Sequence, residues 1–270
     1  MTTFFLPCMI IILMRNLPLL FVFIMALLFF VPKTNRQQDM PPLKSQLKES
    51  EEGSNIPKIN SMSCVDVGIS MKGRMPLAIH GSIFLDGKKF RMTASSFFGK
   101  ELDIGVNDQV LWYWSKRSKP RVMYFSKLEN IKKTKLKSAL SPEWIIMSLM
   151  IDNSQVKPDE KIEHPSGTIL LNKHTSHMDE SMTVATLLDR NGVQPKGRYL
   201  YNSHGKMVAS SEVTSRQVVQ GFSMPKALLI TWYEEGIVME WTLKAVSLNT
   251  KISNGVWAKP DIKPMVDIGR

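Results

Sequence analysis

Residues 76–126, PLAIHGSIFLDGKKFRMTASSFFGKELDIGVNDQVLWYWSKRSKPRVMYFS, run as short two-residue alternations separated by turn signals at Asp86-Gly87, Gly99 and Asn107-Asp108. A period of two punctuated by turn-forming residues predicts a continuous antiparallel meander. One face is expected to collect Leu77, Ile79, Ile83 and Leu85, then Phe90, Met92 and Ala94, then Leu102, Ile104 and Val106, then Val110, Trp112 and Trp114. The opposite parity carries Phe84, Leu111 and Tyr113, so neither side is cleanly polar. Antiparallel strands that are apolar on both sides need cover on both faces or a ligand on one.

Downstream, Ser141 to Ile151 (SPEWIIMSLMI) breaks the alternation. Serine as N-cap, proline at the first helical position and Glu143 in the first turn predict a helix. It is apolar nearly all round, so it must pack against the sheet as a lid or plug. Further strands are expected at 167–171, 182–188, 196–201, 207–219, 227–234 and 237–247, the last two forming a hairpin about Glu235-Gly236. Roughly eleven strands against one clear helix make an α+β, mainly antiparallel architecture, read as an incomplete, half-open β-barrel with a helical lid. There is no convincing internal repeat.

The chain of 270 residues accommodates one β-rich domain with an N-terminal appendage. Phe4 to Leu13 is apolar, Arg15 and Asn16 interrupt, and Leu17 to Val31 is a second apolar run. Started at Met14, this is a short basic region followed by a secretory-type apolar core. Phe29-Phe30-Val31-Pro32 offers no small-x-small cleavage site, so residues 1–32 read as a signal peptide or an uncleaved signal anchor, forming an N-terminal hydrophobic helix. Residues 33–60, with Pro41-Pro42, Glu49, Glu51, Glu52 and Gly53, are too polar to bury a core and read as a flexible linker. Residues 61–270 form the folded domain.

A net charge of +11 and a pI of 9.6 exclude an acidic solvating protein and point to an anionic partner. Between Lys116 and Lys137 stand nine Lys or Arg residues against the single acid Glu129, a net +8 of that excess. Lys116, Arg117, Lys119, Arg121, Lys132 and Lys133 in this stretch are candidates for meeting an anionic membrane surface or an acidic protein partner. A solvated, lysine-blunted strand edge is the competing reading. Trp114 before the stretch and Tyr124-Phe125 within it could form a stacking platform for single-stranded nucleic acid, but the export-like N-terminus argues for no nucleic acid.

The two cysteines, Cys8 and Cys64, have neither metal-ligand spacing nor a location that suits a mutual disulfide. His174-x-x-His177 with Asp179 and Glu180 is the one cluster of metal-like residue types, without a third ligand at a familiar spacing. No nucleophile-elbow, zincin or phosphate-loop pattern occurs. The chain is therefore expected to be no enzyme and to need no cofactor.

The order of elements resembles the LolA/LolB-like lipoprotein carriers of the bacterial envelope, in particular their outer-membrane lipoprotein-sorting-protein relatives. The residues that carry the resemblance are Lys89-Phe90-Arg91-Met92, Gly99 to Gly105, Asn107-Asp108 leading into Leu111-Trp112-Tyr113-Trp114, the Trp232–Trp241 hairpin, Leu248-Asn249, Val256 to Pro260 and Val266-Asp267-Ile268. The resemblance spans about residues 61–270. It implies a half-barrel whose concave, aromatic-lined side receives the acyl chains of a lipid or lipoprotein in the periplasm. Phe90, Met92, Leu102, Ile104, Trp112, Trp114, Trp144, Trp232 and Trp241 are the candidate lining, and Arg91 the candidate latch for the lid. An envelope scaffold that presents the same sheet without a lipid is the alternative.

Overall fold

The computed structural model describes residues 59–71, 78–134, 142–151, 158–175 and 181–269. The apolar segment 1–32, and the linker apart from Ile59 and Asn60, lie outside the described residues, as do His177, Asp179 and Glu180. Among the described residues no helix is long and apolar enough to cross a membrane.

Two-residue alternation becomes strand nearly throughout. The strands are β1 (Ser61–Met71), β2 (Ala78–Asp86), β3 (Lys89–Ser96), β4 (Gly99–Val106), β5 (Val110–Ser115), β6 (Met123–Lys127), β7 (Glu160–His164), β8 (Gly167–Thr175), β9 (Ser181–Leu188), β10 (Pro195–Asn202), β11 (Met207–Val219), β12 (Phe222–Trp232), β13 (Ile237–Leu243), β14 (Val246–Leu248) and β15 (Met265–Asp267). The turn signals fall where the chain reverses: Gly87, Gly99 and Gly236 take φ of +58°, +96° and +64°, conformations in which glycine carries no steric cost. Leu228 faces Trp241 and Trp232 faces Ile237 across the late hairpin.

All fifteen strands among the described residues belong to one sheet, against the roughly eleven expected. Two wings, β2–β6 and β7–β13, meet at β1, which pairs with β2 on one side and β13 on the other. The sheet is open, with β15 and β7 at its edges. β1 was not among the predicted strands, and its register explains why. A bulge between Cys64 and Val67 switches the inward parity, so Met62 and Cys64 are buried before it and Val67 and Ile69 after it. A period-two reading fails at such a switch.

The helix α1 (Pro142–Ser148) starts where Pro142 and Glu143 predict and stops sooner than the apolar run does. The chain turns at Leu149-Met150, where Met150 has φ +51°. This helix also reveals the curvature of the sheet. α1 packs on β4, and its Glu143 meets His174 of β8 at 2.6 Å. Those strands are nine spacings apart in the order, ~43 Å in a flat sheet at ~4.8 Å per strand. A seven-residue helix is only ~10 Å long. The sheet therefore curls so that both wings close on one short plug.

Candidate functional site

The concave side is the larger of two apolar layers. The near wing contributes Ile83, Phe90, Met92 and Ile104, the far wing Val184, Leu200, Leu228, Ile230, Trp232 and Trp241, and the plug Trp144, Ile145, Leu149, Met150 and Ile151, all in one buried cluster. Phe90 and Trp144 are 0 % exposed and Trp241 1 %, so the concave side is filled at these positions. The Trp241 indole N–H is buried there with no acceptor among the described residues.

An isolated helix of seven residues does not persist in water. α1 is held by its apolar burial and by polar contacts that include three side chains of the far wing. His174 of β8 meets Glu143 in the first turn. Arg198 of β10 donates from Nη1 to the Met147 carbonyl (2.8 Å), and Ser211 of β11 donates to the Ser148 carbonyl (2.8 Å). Ser211 satisfies a carbonyl at the helix C-terminus, Arg198 adds a second donor to the Met147 carbonyl that also accepts from the Met150 N–H, and the cation complements the helix dipole. The hydrogen bond that the His174 ring makes to the Glu143 carboxylate raises the imidazole above its ordinary value, against a smaller opposing effect of burial.

The predicted lining divides between the two faces of the sheet. Phe90, Met92, Leu102, Ile104, Trp144, Trp232 and Trp241 come together on the concave side. Trp112 and Trp114 do not. The four-residue connection after Val106 pairs Val106 with Leu111 and Ile104 with Tyr113, so the odd-numbered residues of β5 share the face of Ile104. Trp112 lies opposite Gly105 and Trp114 opposite Asp103, on the convex face. The parity expected to unite Trp112 and Trp114 with Phe90 was therefore off by one residue. A tight Asn107 turn, whose Oδ1 accepts from the N–H groups of Gln109 and Val110, sets that register.

Trp112 belongs instead to a buried ionic knot. Asp103, 0 % exposed, accepts from Arg91 Nε (3.2 Å) and Nη2 (2.8 Å), from Lys100 Nζ (3.0 Å) and from the Trp112 indole N–H (2.9 Å). Burial by itself would raise its carboxyl, but the bonds from Arg91, Trp112 and Lys100 outweigh that and hold it below the usual aspartate range. The Arg91 guanidinium also stands 5.9 Å from the Trp112 ring centroid. Gly105 makes room for that ring, since a Cβ there would overlap it.

Arg91 reaches beyond the knot to the C-terminal strap. Its Nη1 donates to the carbonyls of Val256 (2.8 Å) and Ala258 (3.3 Å). Asn107 donates to the Trp257 carbonyl (3.0 Å), Lys259 Nζ sits 5.3 Å from the Phe125 ring centroid, and β15 runs parallel to β6. The cover that Arg91 fastens is this strap across the convex face, and its described partners do not include α1. Beside the strap lies a polar hollow of about 320 Å³ lined by Lys89, Asn107, Asp108, Gln109, Asn254 and Trp257.

The basic stretch is partly committed to internal pairs. Lys116 and Arg117 meet Glu101 at 3.5 and 3.3 Å, whereas Lys119, Arg121 and Lys132 are exposed. The side chain of Lys133 and the rest of the stretch to Lys137 lie outside the described residues. Cys64 is a buried free thiol whose pKa burial pushes up. No group of metal-ligating side chains occurs among the described residues.

No family model and no curated protein matches the sequence. Solved structures do match the fold. A DUF1329 family protein from Desulfovibrio piger superposes with a TM-score of 0.52 at 10 % identity, covering 75 % of this chain and 91 % of its own. A domain from Vibrio parahaemolyticus assigned to outer membrane lipoprotein sorting gives 0.48 at 7 % identity, covering 73 % and 89 %. A LolA superfamily protein from Nitrosomonas europaea gives 0.45 at 11 %, covering 76 % and 92 %. At these identities the likeness is one of fold: the chain shares the architecture of the DUF1329 protein and is structurally similar to the LolA superfamily and lipoprotein-sorting domains.

Proposed function

We propose that this chain is a non-enzymatic carrier of the bacterial envelope, a curled half-barrel that shelters the acyl chains of a lipid or lipoprotein on its concave side. In this reading residues 1–32 tether the domain 61–270 to a membrane through the linker 33–60, with the body in the periplasm. The observation that carries it is the plug. α1 occupies the apolar concave side, yet it is one short helix of seven residues that cannot persist alone, and its polar attachments to the far wing include two hydrogen bonds to carbonyls and a His–Glu pair. Such a plug can be displaced and its place taken by acyl chains, which gain ~0.8 kcal/mol per buried methylene. The buried Trp241 N–H would then find an ester or amide carbonyl of the cargo.

The complete burial of Phe90, Trp144 and Trp241 favours a second reading, a scaffold whose interior is simply packed. Mass spectrometry of lipid extracted from the full chain, purified from its native membranes, separates the two. Bound acyl species near one per chain, increasing in an Arg198→Ala, Ser211→Ala variant with a weakened plug, are expected for the carrier. Absence of acyl species from both proteins would refute it in favour of the scaffold.

A further inference from the structure

The turn between β3 and β4 carries two adjacent phenylalanines, Phe97 and Phe98, that are 97 % and 80 % exposed. Their rings meet edge to face, with centroids 5.5 Å apart and planes at 87°. Scattered apolar side chains on a surface need no explanation, but paired, hydrated phenyl rings at a hairpin tip do.

The tip is also built firmly. The Phe98 N–H donates to Ser96 Oγ (3.1 Å), and the Phe98 carbonyl accepts from Lys116 Nζ (2.8 Å). Ser96 Oγ in turn donates to Glu101 Oε1 (2.6 Å), a buried carboxylate that also pairs with Lys116 and Arg117. A buried anion thus fastens the turn from below while both rings project into water.

Cations gather at the same end of the sheet. Strands β3 to β6 alternate in direction, so the β5–β6 connection emerges beside the β3–β4 turn, and the Lys116 N–H continues the ladder to the Glu101 carbonyl (2.9 Å). That connection exposes Lys119 and Arg121. Projecting aromatic rings flanked by cations match a bilayer interface, which deforms around the rings while its phosphates meet the charges. A protein partner would need a preformed pocket for two rings that stand free of any groove.

We propose that the β3–β4 turn is a membrane-docking tip: Phe97 and Phe98 enter the headgroup boundary of an anionic bilayer while Lys119 and Arg121 contact its phosphates. This deepens the membrane-surface part of the carrier reading and moves the contact from the basic stretch at large to one end of the sheet. Ser61 and Ile59 lie at the other end, because β1, β2 and β3 also alternate.

The test uses the full chain reconstituted into phosphatidylglycerol-rich vesicles, with 4-trifluoromethylphenylalanine in place of Phe97. A control carries the same probe at Lys88, exposed in the β2–β3 turn at the opposite end. Acyl-chain doxyl lipids should enhance ¹⁹F relaxation strongly at position 97 and weakly at 88. Lys119→Glu with Arg121→Glu should lower the docked-to-free ratio at position 97 on the order of ten-fold or more. Equal enhancement at both positions, persistence after charge reversal, or broadening at 97 that follows protein concentration without lipid, the sign of a second copy, would each overturn the proposal. None of these outcomes depends on cargo, so failure here leaves the lipid analysis standing, and the reverse also holds.

Discussion

Replacing Asp103 by asparagine perturbs the most tightly bonded charge in the described structure. The carboxylate is fully buried and accepts from Arg91, Lys100 and the Trp112 indole. The asparagine amide keeps one acceptor oxygen but turns an NH₂ donor toward the Arg91 and Lys100 donors, while the charge that balanced Arg91 is gone. Removing one partner of a buried ion pair costs ~3–5 kcal/mol, because the other is left uncompensated. Arg91 keeps its bonds to the carbonyls of Val256 and Ala258, which places the expected loss toward the lower end of that range. With a urea dependence of ~2–3 kcal/mol per molar, the midpoint of unfolding of the full chain in mild detergent should fall by about 1–2 M at neutral pH. The pH dependence has a fixed sign. Asp103 has a lower pKa folded than unfolded, so its contribution is complete above the unfolded value of ~3.9 and is lost as pH falls through the folded value. The gap between wild type and Asp103→Asn should accordingly narrow in acid. A cycle with Arg91→Met isolates the pair, and the double variant should lose at least about 1 kcal/mol less than the sum of the single losses. Additive losses, or a change within ~1 kcal/mol for Asp103→Asn alone, would show that the knot does not hold this face together.

Three further outcomes follow from the same contacts. His174 has a raised pKa, so its hold on Glu143 is fully present below ~6.5 and is lost as pH rises through the higher folded value; amide exchange at residues 145–151 should quicken over that rise, and His174→Gln should abolish the pH dependence. Trp144→Ala removes the largest side chain of the plug and should cost ~3–5 kcal/mol in urea titrations while opening apolar volume that an apolar fluorescent dye can fill; unchanged stability and dye binding would mean that the plug is not packed as described. Gly105→Ala forces a methyl against the Trp112 ring and should cost ~1–3 kcal/mol, whereas Gly87→Ala, with open space around it, strains only its own φ of +58°; a smaller loss at 105 than at 87, measured by thermal unfolding, would contradict the convex placement of Trp112.

Local chemistry was legible where it acts within a few residues. Gly87, Gly99 and Gly236 punctuate the sequence at the positions where the chain reverses, and Pro142-Glu143 marks the start of the one α-helix among the described residues. The late hairpin forms where the sequence places one, although its register, with Trp232 paired to Ile237 and Leu228 to Trp241 across a four-residue connection, was not legible from the turn residues. Seven of the nine lining candidates lie in one layer because each sits at the inward parity of a regular strand or on the plug. The misplacement of Trp112 and Trp114 came from extending parity through a turn whose length resets it. Phe97 and Phe98 were passed over because turn residues carry no periodicity, and only their exposure, with the Glu101 network beneath them, sets them apart.

Period-two alternation, turn residues and a helix start act over short stretches, and from them alone the sequence determined an antiparallel β protein with one apolar helix that had to be buried. Pairing between residues far apart in the chain decided the rest. β1 joins two wings through a bulge that conceals its alternation, and β13 reaches it from more than 160 residues away. Arg91 finds its strap across a separation of 165 residues, and Ser211 its plug across 63. The curl that brings β4 and β8 onto the same short helix is a property of the whole sheet. No window of sequence contains it, because each strand's twist is small and only their sum around the plug closes the concave side.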